Sequence, residues 1–275
     1  MTAALPTAGL SRLGLGCSRI GSFGNPAPMN AIRDLLAAAL DLGVTVFDTA
    51  DIYGQGDSER EIGRVLKGRR ERGFVVTKCG QTFSAKMRLV APLKPILKPL
   101  ITALGKGQSV TGAREGNRSV DFSPARYAAA LDASLRRLGV DEVDGFLLHG
   151  PSAEALADPA HGEALAKLKA AGKARHVGVS CDDVASLRAA LTMPGLTMLE
   201  LPVDVIDAAE ASDLGETIRS RAIIVLAREI MRLRPELTPA EAVRRSVADP
   251  LTTCTIVGTS KLAHLEELVL AASTA

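Results

Sequence analysis

Cysteine, excess charge and long apolar runs are scarce in this sequence, and each shortage excludes a class of protein. The four cysteines, Cys17, Cys79, Cys181 and Cys254, are far apart and form no C-x-x-C pair, which argues against a secreted disulfide scaffold. A net charge of +2 gives no overall electrostatic case for nucleic acid as a partner. No apolar run approaches the roughly 18 residues that span a bilayer, and the first residues lack the pattern of a secretory signal. We therefore expect a cytoplasmic protein with no membrane anchor, no nucleic-acid partner and no bound metal.

The remaining composition is that of a folded globular chain. Hydrophobic residues make up 47% and charged residues 23% of the 275 residues, which excludes disorder, collagen-like repeats and a coiled coil. The length fits one large domain or two small ones, because α/β barrels often reach about 250 residues as a single unit.

Short β-branched runs alternate with helical patterns along the whole chain, which indicates βαβ units and a parallel sheet. Each predicted strand is followed by a helical pattern, and the sixth is followed by Ala208–Ser220. The predicted strands are Leu13–Ser18, Val44–Asp48, Phe74–Lys78, Val143–His149, His176–Ser180, Thr197–Pro202, Ala222–Ala227 and Thr253–Val257. Eight such units predict an α/β fold, a (β/α)8 TIM barrel in which residues 1–275 form a single domain.

One segment interrupts this pattern. Residues 81–120, after the third strand, carry seven lysines and arginines against one acidic residue, Glu115, and combine spaced prolines with a glycine-rich tail. Long loops of this kind are often functional. We expect a lid over the carboxyl-terminal mouth of the barrel, its charge suited to an anionic substrate or cofactor phosphates. The alternative is a solvated or membrane-surface patch.

Four residue types with chemical potential fall at or just after predicted strand ends. Asp48 ends the second strand, Tyr53 lies in the following turn, Lys78 ends the third strand and His149 the fourth. Each alone is more often a helix cap, a solvated tip or a satisfied hydrogen-bonding group. The chain has only two tyrosines and four histidines, so their coincidence beside an aspartate and a lysine predicts a site.

The sequence around these residues resembles the aldo-keto reductase superfamily. The similar segments, which run through nearly the whole chain in order, are Phe47–Gly54, Thr77–Lys78, Ser134–Gly139, Leu147–His149, Val177–Ser180 and Ile256–Ser260. The resemblance implies a (β/α)8 barrel that binds NADP(H) across its mouth without a Rossmann domain. It also implies a catalytic tetrad of Asp48, Tyr53, Lys78 and His149. The long segment after strand three is most similar to the branch that oxidises aldoses and small alcohols.

The tetrad's residue types fit the chemistry of carbonyl reduction. Reduction needs a hydride on carbon and a proton on oxygen, and a phenol of reference pKa about 10 needs a nearby cation to stabilise its phenolate. Lys78 would be that cation, Asp48 would compensate the buried ammonium, and His149 would orient and polarise the carbonyl. The hydride must come from a cofactor. The chain lacks both a strand-linked G-x-G-x-x-G and a P-loop motif.

The residues expected to hold the cofactor depart from the family pattern. Ser180-Cys181 stands where Ser-Asn is common, Glu200 replaces a glutamine, and Arg228 replaces an aromatic residue that stacks on the nicotinamide. Glu200 and Arg228 would either hold the nicotinamide or form a salt bridge on the pocket floor. The segment after Arg228 is short, so a loop that wraps the pyrophosphate is largely missing. The other cofactor positions implied by the resemblance are Gly258, Thr259, Ser260, His264 and Glu267.

We therefore expect an oxidoreductase that interconverts a small aldehyde or ketone with its alcohol, using NADP(H), with NAD(H) as the alternative cofactor. The rival hypothesis is a barrel that has kept the tetrad but lost productive cofactor binding, and acts as a binding or regulatory protein. The substrate and the oligomeric state are left open.

Overall fold

A computed structural model describes residues 9–83 and 118–275. Its strands are β1 (Leu13–Gly16), β2 (Val46–Asp48), β3 (Phe74–Cys79), β4 (Gln81–Phe83), β5 (Arg118–Val120), β6 (Val143–His149), β7 (Ala174–Ser180), β8 (Met198–Pro202), β9 (Ile224–Arg228) and β10 (Cys254–Val257). Its helices are α1 (Met29–Asp41), α2 (Asp57–Leu66), α3 (Tyr127–Leu138), α4 (Ala160–Ala170), α5 (Val184–Leu191), α6 (Val203–Glu210), α7 (Asp213–Ser220), α8 (Pro239–Ala248) and α9 (Leu262–Ser273).

Eight of the described strands close into a parallel barrel in the order β1-β10-β9-β8-β7-β6-β3-β2. The predicted (β/α)8 TIM barrel is confirmed, and each predicted barrel strand is present with ends shifted by a few residues. One of these shifts matters for the site. The seventh barrel strand, β9, extends through Arg228 instead of stopping at Ala227.

The period of two along each strand divides the apolar residues into two layers. One set fills the barrel interior and consists of Val46, Phe74, Val76, Leu147, Met198, Ile224, Leu226, Cys254 and Ile256. The alternate set faces outward and packs against the helices in a larger core. Among the described helices, none is long and apolar enough to cross a membrane.

Two predicted elements differ from the structure. Instead of one helix over Ala208–Ser220, α6 and α7 are separate, because the Ser212 side chain accepts a hydrogen bond from Leu214 N (3.4 Å) and starts a new helix. The predicted loop 81–120 begins and ends in strands, since β4 and β5 pair antiparallel, with Gln81 opposite Val120. The rest of the predicted lid, residues 84–117, lies outside the described residues.

Substitution of Gly63 tests the packing of α2 against α3. A Cβ on Gly63 would lie 2.1 Å from the backbone oxygen of Leu138, so the helices touch at this point. We expect Gly63→Ala to lower the free energy of unfolding by about 1–3 kcal/mol, because backbone atoms must move to accommodate the methyl group. Thermal or urea unfolding measures this loss.

Gly162→Ala is the matched control. Gly162 also lies in a helix, but the nearest atom to its added Cβ would be Pro194 Cδ at 3.2 Å and the nearest backbone atom Pro194 O at 3.8 Å, and alanine favours the helix by about 1 kcal/mol over glycine. We expect little change in its stability. If Gly63→Ala proved as stable as the parent, α2 and α3 would not be in close contact at Gly63.

Candidate active site

The inward positions nearest the carboxyl ends of several barrel strands are polar. Each lies two residues beyond an interior core residue on the same strand, and therefore faces the same side of the sheet. The residues in this layer are Asp48, Lys78, His149, Glu200 and Arg228. The barrel thus places three tetrad residues and two of the expected cofactor residues at one end, where barrel enzymes have their active sites.

A buried ion pair forms the centre of this layer. Lys78 has a relative exposure of 0%, and its ammonium donates a hydrogen bond to Asp48 Oδ1. It also donates to the backbone oxygen of Thr49 at 3.2 Å. These acceptors compensate an ammonium that would otherwise be costly to bury. The predicted pairing of Asp48 with Lys78 is present.

Tyr53 reaches this pair from a tight turn after β2. The turn needs left-handed backbone at Gly54 (φ 57°), Gln55 (φ 62°) and Gly56 (φ 85°), a conformation that glycine adopts without strain. The Tyr53 ring centroid lies 5.4 Å from Lys78 Nζ and 5.6 Å from the His149 ring, which stands edge-on at 87°. The four residues of the predicted tetrad therefore lie together.

Glu200 connects the tetrad to the expected cofactor residues. Its Oε2 lies 3.0 Å from Lys78 Nζ, and its Oε1 lies 3.6 Å from Arg228 Nε. Arg228 is only 16% exposed and is also held by the backbone oxygen of Cys181 at 2.9 Å and by the carboxylates of Asp182 and Glu229. The salt bridge between Glu200 and Arg228 that was one of the two sequence hypotheses is present.

Two carboxylates, Asp48 and Glu200, thus share one buried ammonium. Burial and the neighbouring charges shift the pKa values of these groups in opposite directions. Burial alone would lower the pKa of Lys78, but the charges of Asp48 and Glu200 outweigh it and raise that pKa, so the ammonium stays charged. Burial and the Glu200 carboxylate raise the pKa of Asp48 to about 7, against the effect of Lys78. The site therefore holds a charged Lys78 between carboxylates that repel each other.

The phenol of Tyr53 is a weaker acid than in water. Burial raises its pKa to about 12; Lys78 and Arg228 act to lower it, but Asp48 and Glu200 act in the opposite direction. From the sequence we expect Lys78 to stabilise the phenolate. The direction of its effect is as expected, but burial and the two carboxylates are stronger.

Ser180 and Cys181 contribute differently from what the sequence suggested. Ser180 ends β7 beside Glu200 on β8, with which it is in register. The Cys181 side chain is buried in the outer core between strands and helices, because it follows Ser180 by one position and faces the opposite side. Cys181 therefore reaches the mouth only through its backbone oxygen, which accepts the hydrogen bond from Arg228.

The remaining expected cofactor residues follow β10. Gly258, Thr259 and Ser260 line a small cavity of about 50 Å³ together with residues after β1. His264 and Glu267 are exposed on α9, whereas the neighbouring Leu268 is buried in the core. The structure brings these residues to the β1 and β10 side of the barrel, apart from the ion-pair cluster.

Tyr127, the second tyrosine of the chain, has a structural position. Its side chain is buried in the outer core, and its Oη lies 2.7 Å from His161 Nδ1 and 3.0 Å from the backbone oxygen of Phe122. Substitution of Tyr127 is therefore the control for substitution of Tyr53.

Sequence reasoning missed the contact between Lys78 and Glu200. Strands β3 and β8 are separated in the barrel by β6 and β7, so no neighbouring register brings the two residues together. The available signal was that each residue lies two positions after an apolar residue of the same strand and so faces the same side of the sheet. The roles of Asp182 and Glu229 as partners of Arg228 were also missed.

Known proteins with similar sequences are aldo-keto reductases and a methylglyoxal reductase. The Aldo/keto reductase family profile matches residues 12–232. The aldo-keto reductase yakc [NADP(+)] of Schizosaccharomyces pombe is 32% identical over 185 residues, which are 66% of this chain and 46% of that protein. The NADH-specific methylglyoxal reductase of Escherichia coli is 29% identical over 227 residues, 78% of this chain and 62% of that protein. The chain thus spans about half to three-fifths of the length of these two relatives.

A crystal structure gives the same assignment. A Pseudomonas aeruginosa protein assigned to the aldo-keto reductases is 26% identical and superposes with a TM-score of 0.72, covering 96% of this chain and 90% of that one. Because the family profile covers most of the chain and the fold agrees over nearly all of it, this chain belongs to the aldo/keto reductase family.

Proposed function

We propose that this protein is an NADP(H)-dependent oxidoreductase that interconverts a small aldehyde or ketone with its alcohol. The observation that supports this proposal is the cluster of Asp48, Tyr53, Lys78 and His149 at the barrel mouth of an aldo/keto reductase family member. The cluster lies at the carboxyl ends of the barrel strands, where barrel enzymes act on their substrates.

Tyr53 is the proposed acid and base. Its pKa of about 12 keeps the phenol protonated at neutral pH, so it can donate a proton to a carbonyl oxygen during reduction. The negative charge left on the phenolate is stabilised by the Lys78 ammonium, 5.4 Å from the ring centroid. Asp48 holds Lys78 in place. His149, edge-on to the Tyr53 ring, orients and polarises the carbonyl.

The residues at the mouth fit a nicotinamide. Glu200 Oε2 is at ion-pair distance from Lys78 but has no hydrogen bond among the described residues, and the same holds for Arg228 Nε, which faces Glu200 at 3.6 Å. A carboxamide offers an N–H donor for the first atom and a C=O acceptor for the second. When bound, NADP(H) supplies or accepts the hydride at the carbonyl carbon.

We assign the two ends of the cofactor to different residues. Ser180, Glu200, Arg228 and the backbone of Cys181 would hold the nicotinamide. The resemblance to the family assigns Gly258, Thr259, Ser260, His264 and Glu267 to the adenosine side. The yeast relative is named for NADP(+) and the Escherichia coli relative for NADH, so NADP(H) is the proposed cofactor and NAD(H) the alternative.

A second candidate function is that of a binding or regulatory protein without catalysis. The observation that favours it is the clamped guanidinium of Arg228, which contacts Cys181, Asp182, Glu200 and Glu229 where a stacking aromatic residue is usual in the family. In this alternative, Arg228 and these four contacts occupy the position of the nicotinamide, and the cofactor does not bind.

Removal of the phenol tests the catalytic assignment. We expect Tyr53→Phe to reduce the rate of carbonyl reduction on the order of 100-fold or more, because the general acid is lost, while NADPH affinity stays the same. The assay follows NADPH consumption with nitrobenzaldehyde as a reactive test substrate. Tyr127→Phe is the control and should keep the parent rate, since Tyr127 contacts only structural groups. Equal rates for the parent and Tyr53→Phe would refute the role of Tyr53.

Cofactor binding separates the two candidate functions. We expect NADPH to bind to the parent chain with measurable heat in titration calorimetry, because Glu200 Oε2 and Arg228 Nε have no hydrogen bond among the described residues and match a carboxamide. The affinity should be modest, since each hydrogen bond missing from the short segment after β9 costs about 1 kcal/mol. Absence of binding of both NADPH and NADH would favour the non-catalytic function.

A further inference from the structure

Glu200 changes the charge of the site. Asp48, Lys78, Glu200 and Arg228 form a continuous chain of ion pairs across the mouth. With Glu200 ionised the formal charges of these four groups cancel, and a neutral side chain at this position would make the site beside Tyr53 more positive by one charge. Because the pairs are buried, solvent screens this difference poorly.

Tyr53 faces charged or titratable groups from five barrel strands. Lys78 on β3 and Arg228 on β9 favour the phenolate, and Asp48 on β2 and Glu200 on β8 favour the phenol. His149 on β6 packs edge-on against the ring. In the alkaline range where a tyrosine titrates, Asp48 is ionised, because its pKa is about 7.

We propose that Glu200 is a positioning residue that keeps Tyr53 a proton donor. By sharing the Lys78 ammonium with Asp48, it offsets the positive charge that would stabilise the phenolate, and so raises the pH at which the phenol loses its proton. The consequence for the rate of alcohol oxidation rests on the proposed function. The inference about the protonation of Tyr53 does not.

The geometry explains why a carboxylate, and not only a polar side chain, has this effect. Glu200 Oε2 is 3.0 Å from Lys78 Nζ, the same ammonium that lies over the Tyr53 ring at 5.4 Å from its centroid. A carboxylate at this distance offsets the ammonium charge directly, while an amide would accept a hydrogen bond and leave the charge in place. The proton on Tyr53 then depends on Glu200 through Lys78.

Tyrosinate absorbance in the cofactor-free chain tests the proposal. The signal has only two sources, because the chain contains two tyrosines and no tryptophan, and Tyr53→Phe identifies the contribution of Tyr53. We expect Glu200→Gln to lower the titration midpoint of Tyr53 by about one pH unit or more, the size of effect a nearby charge has on a buried group. An unchanged or higher midpoint would overturn the proposal.

Two further variants separate charge from packing. Glu200→Asp keeps the negative charge and should titrate like the parent; if it titrates like Glu200→Gln, packing is responsible and the proposal fails. Glu61→Gln is the matched control, since Glu61 is also buried and paired with arginines, Arg33 and Arg64, but lies on α2. It should leave the Tyr53 midpoint unchanged, and an equal shift in this variant would show a nonspecific effect and refute the proposal.

Kinetics give an independent measurement if Glu200→Gln is unstable at high pH. Alcohol oxidation needs the phenolate, so at a fixed, mildly alkaline pH Glu200→Gln should oxidise a test alcohol several-fold faster than the parent, because the gain in phenolate exceeds the loss in its strength as a base. A slower or equal rate in an enzyme that still reduces the test aldehyde would contradict the proposal. A chain that shows the titration shift but no turnover would refute the proposed function instead.

Discussion

The ammonium of Lys78 is fully buried, and the arrangement of the barrel mouth follows from the need to compensate it. A charge in this position is stable only if carboxylates and carbonyl oxygens surround it. Asp48, Glu200 and the backbone of Thr49 meet that need. The two side chains come from different strands, and both occupy the inward layer directly above the apolar interior. Tyr53 then packs against the ammonium from a turn that requires left-handed backbone at three consecutive residues.

Glu200 and Arg228, two of the positions that the sequence analysis singled out, are paired with each other. Arg228 at the end of β9 places a largely buried guanidinium in the pocket, and such a group needs counter-charges. Glu200 is one of them at 3.6 Å, beside Asp182 and Glu229. Glu200 also contacts Lys78, so the pair links the expected nicotinamide position to the acid–base group. A change at Arg228 can therefore reach the phenol of Tyr53 through two ion pairs.

The sequence predicted the architecture and the tetrad but not this link. Alternating strand and helix patterns depend on local periodicity, so the barrel and the place of Lys78 at a strand end followed from single segments. The tetrad also needed the resemblance to known proteins, because Asp48 and His149 alone are common strand-end residues. The contact between Lys78 and Glu200 depends on how the barrel closes, with two strands between them. The break before α7 depends on one cap at Ser212, within an apolar pattern that continues across it.

The transfer of hydride to a carbonyl carbon is the central claim for this site. Its most direct test is a single turnover of the parent chain with nitrobenzaldehyde and NADPH that carries deuterium in place of both C4 hydrogens of the nicotinamide. Mass spectrometry of the alcohol product should find one deuterium on the carbinol carbon, because the cofactor supplies the hydride and Tyr53 only the proton. Absence of alcohol product, or alcohol formed without deuterium, would contradict the assignment of this mouth as a hydride-transfer site.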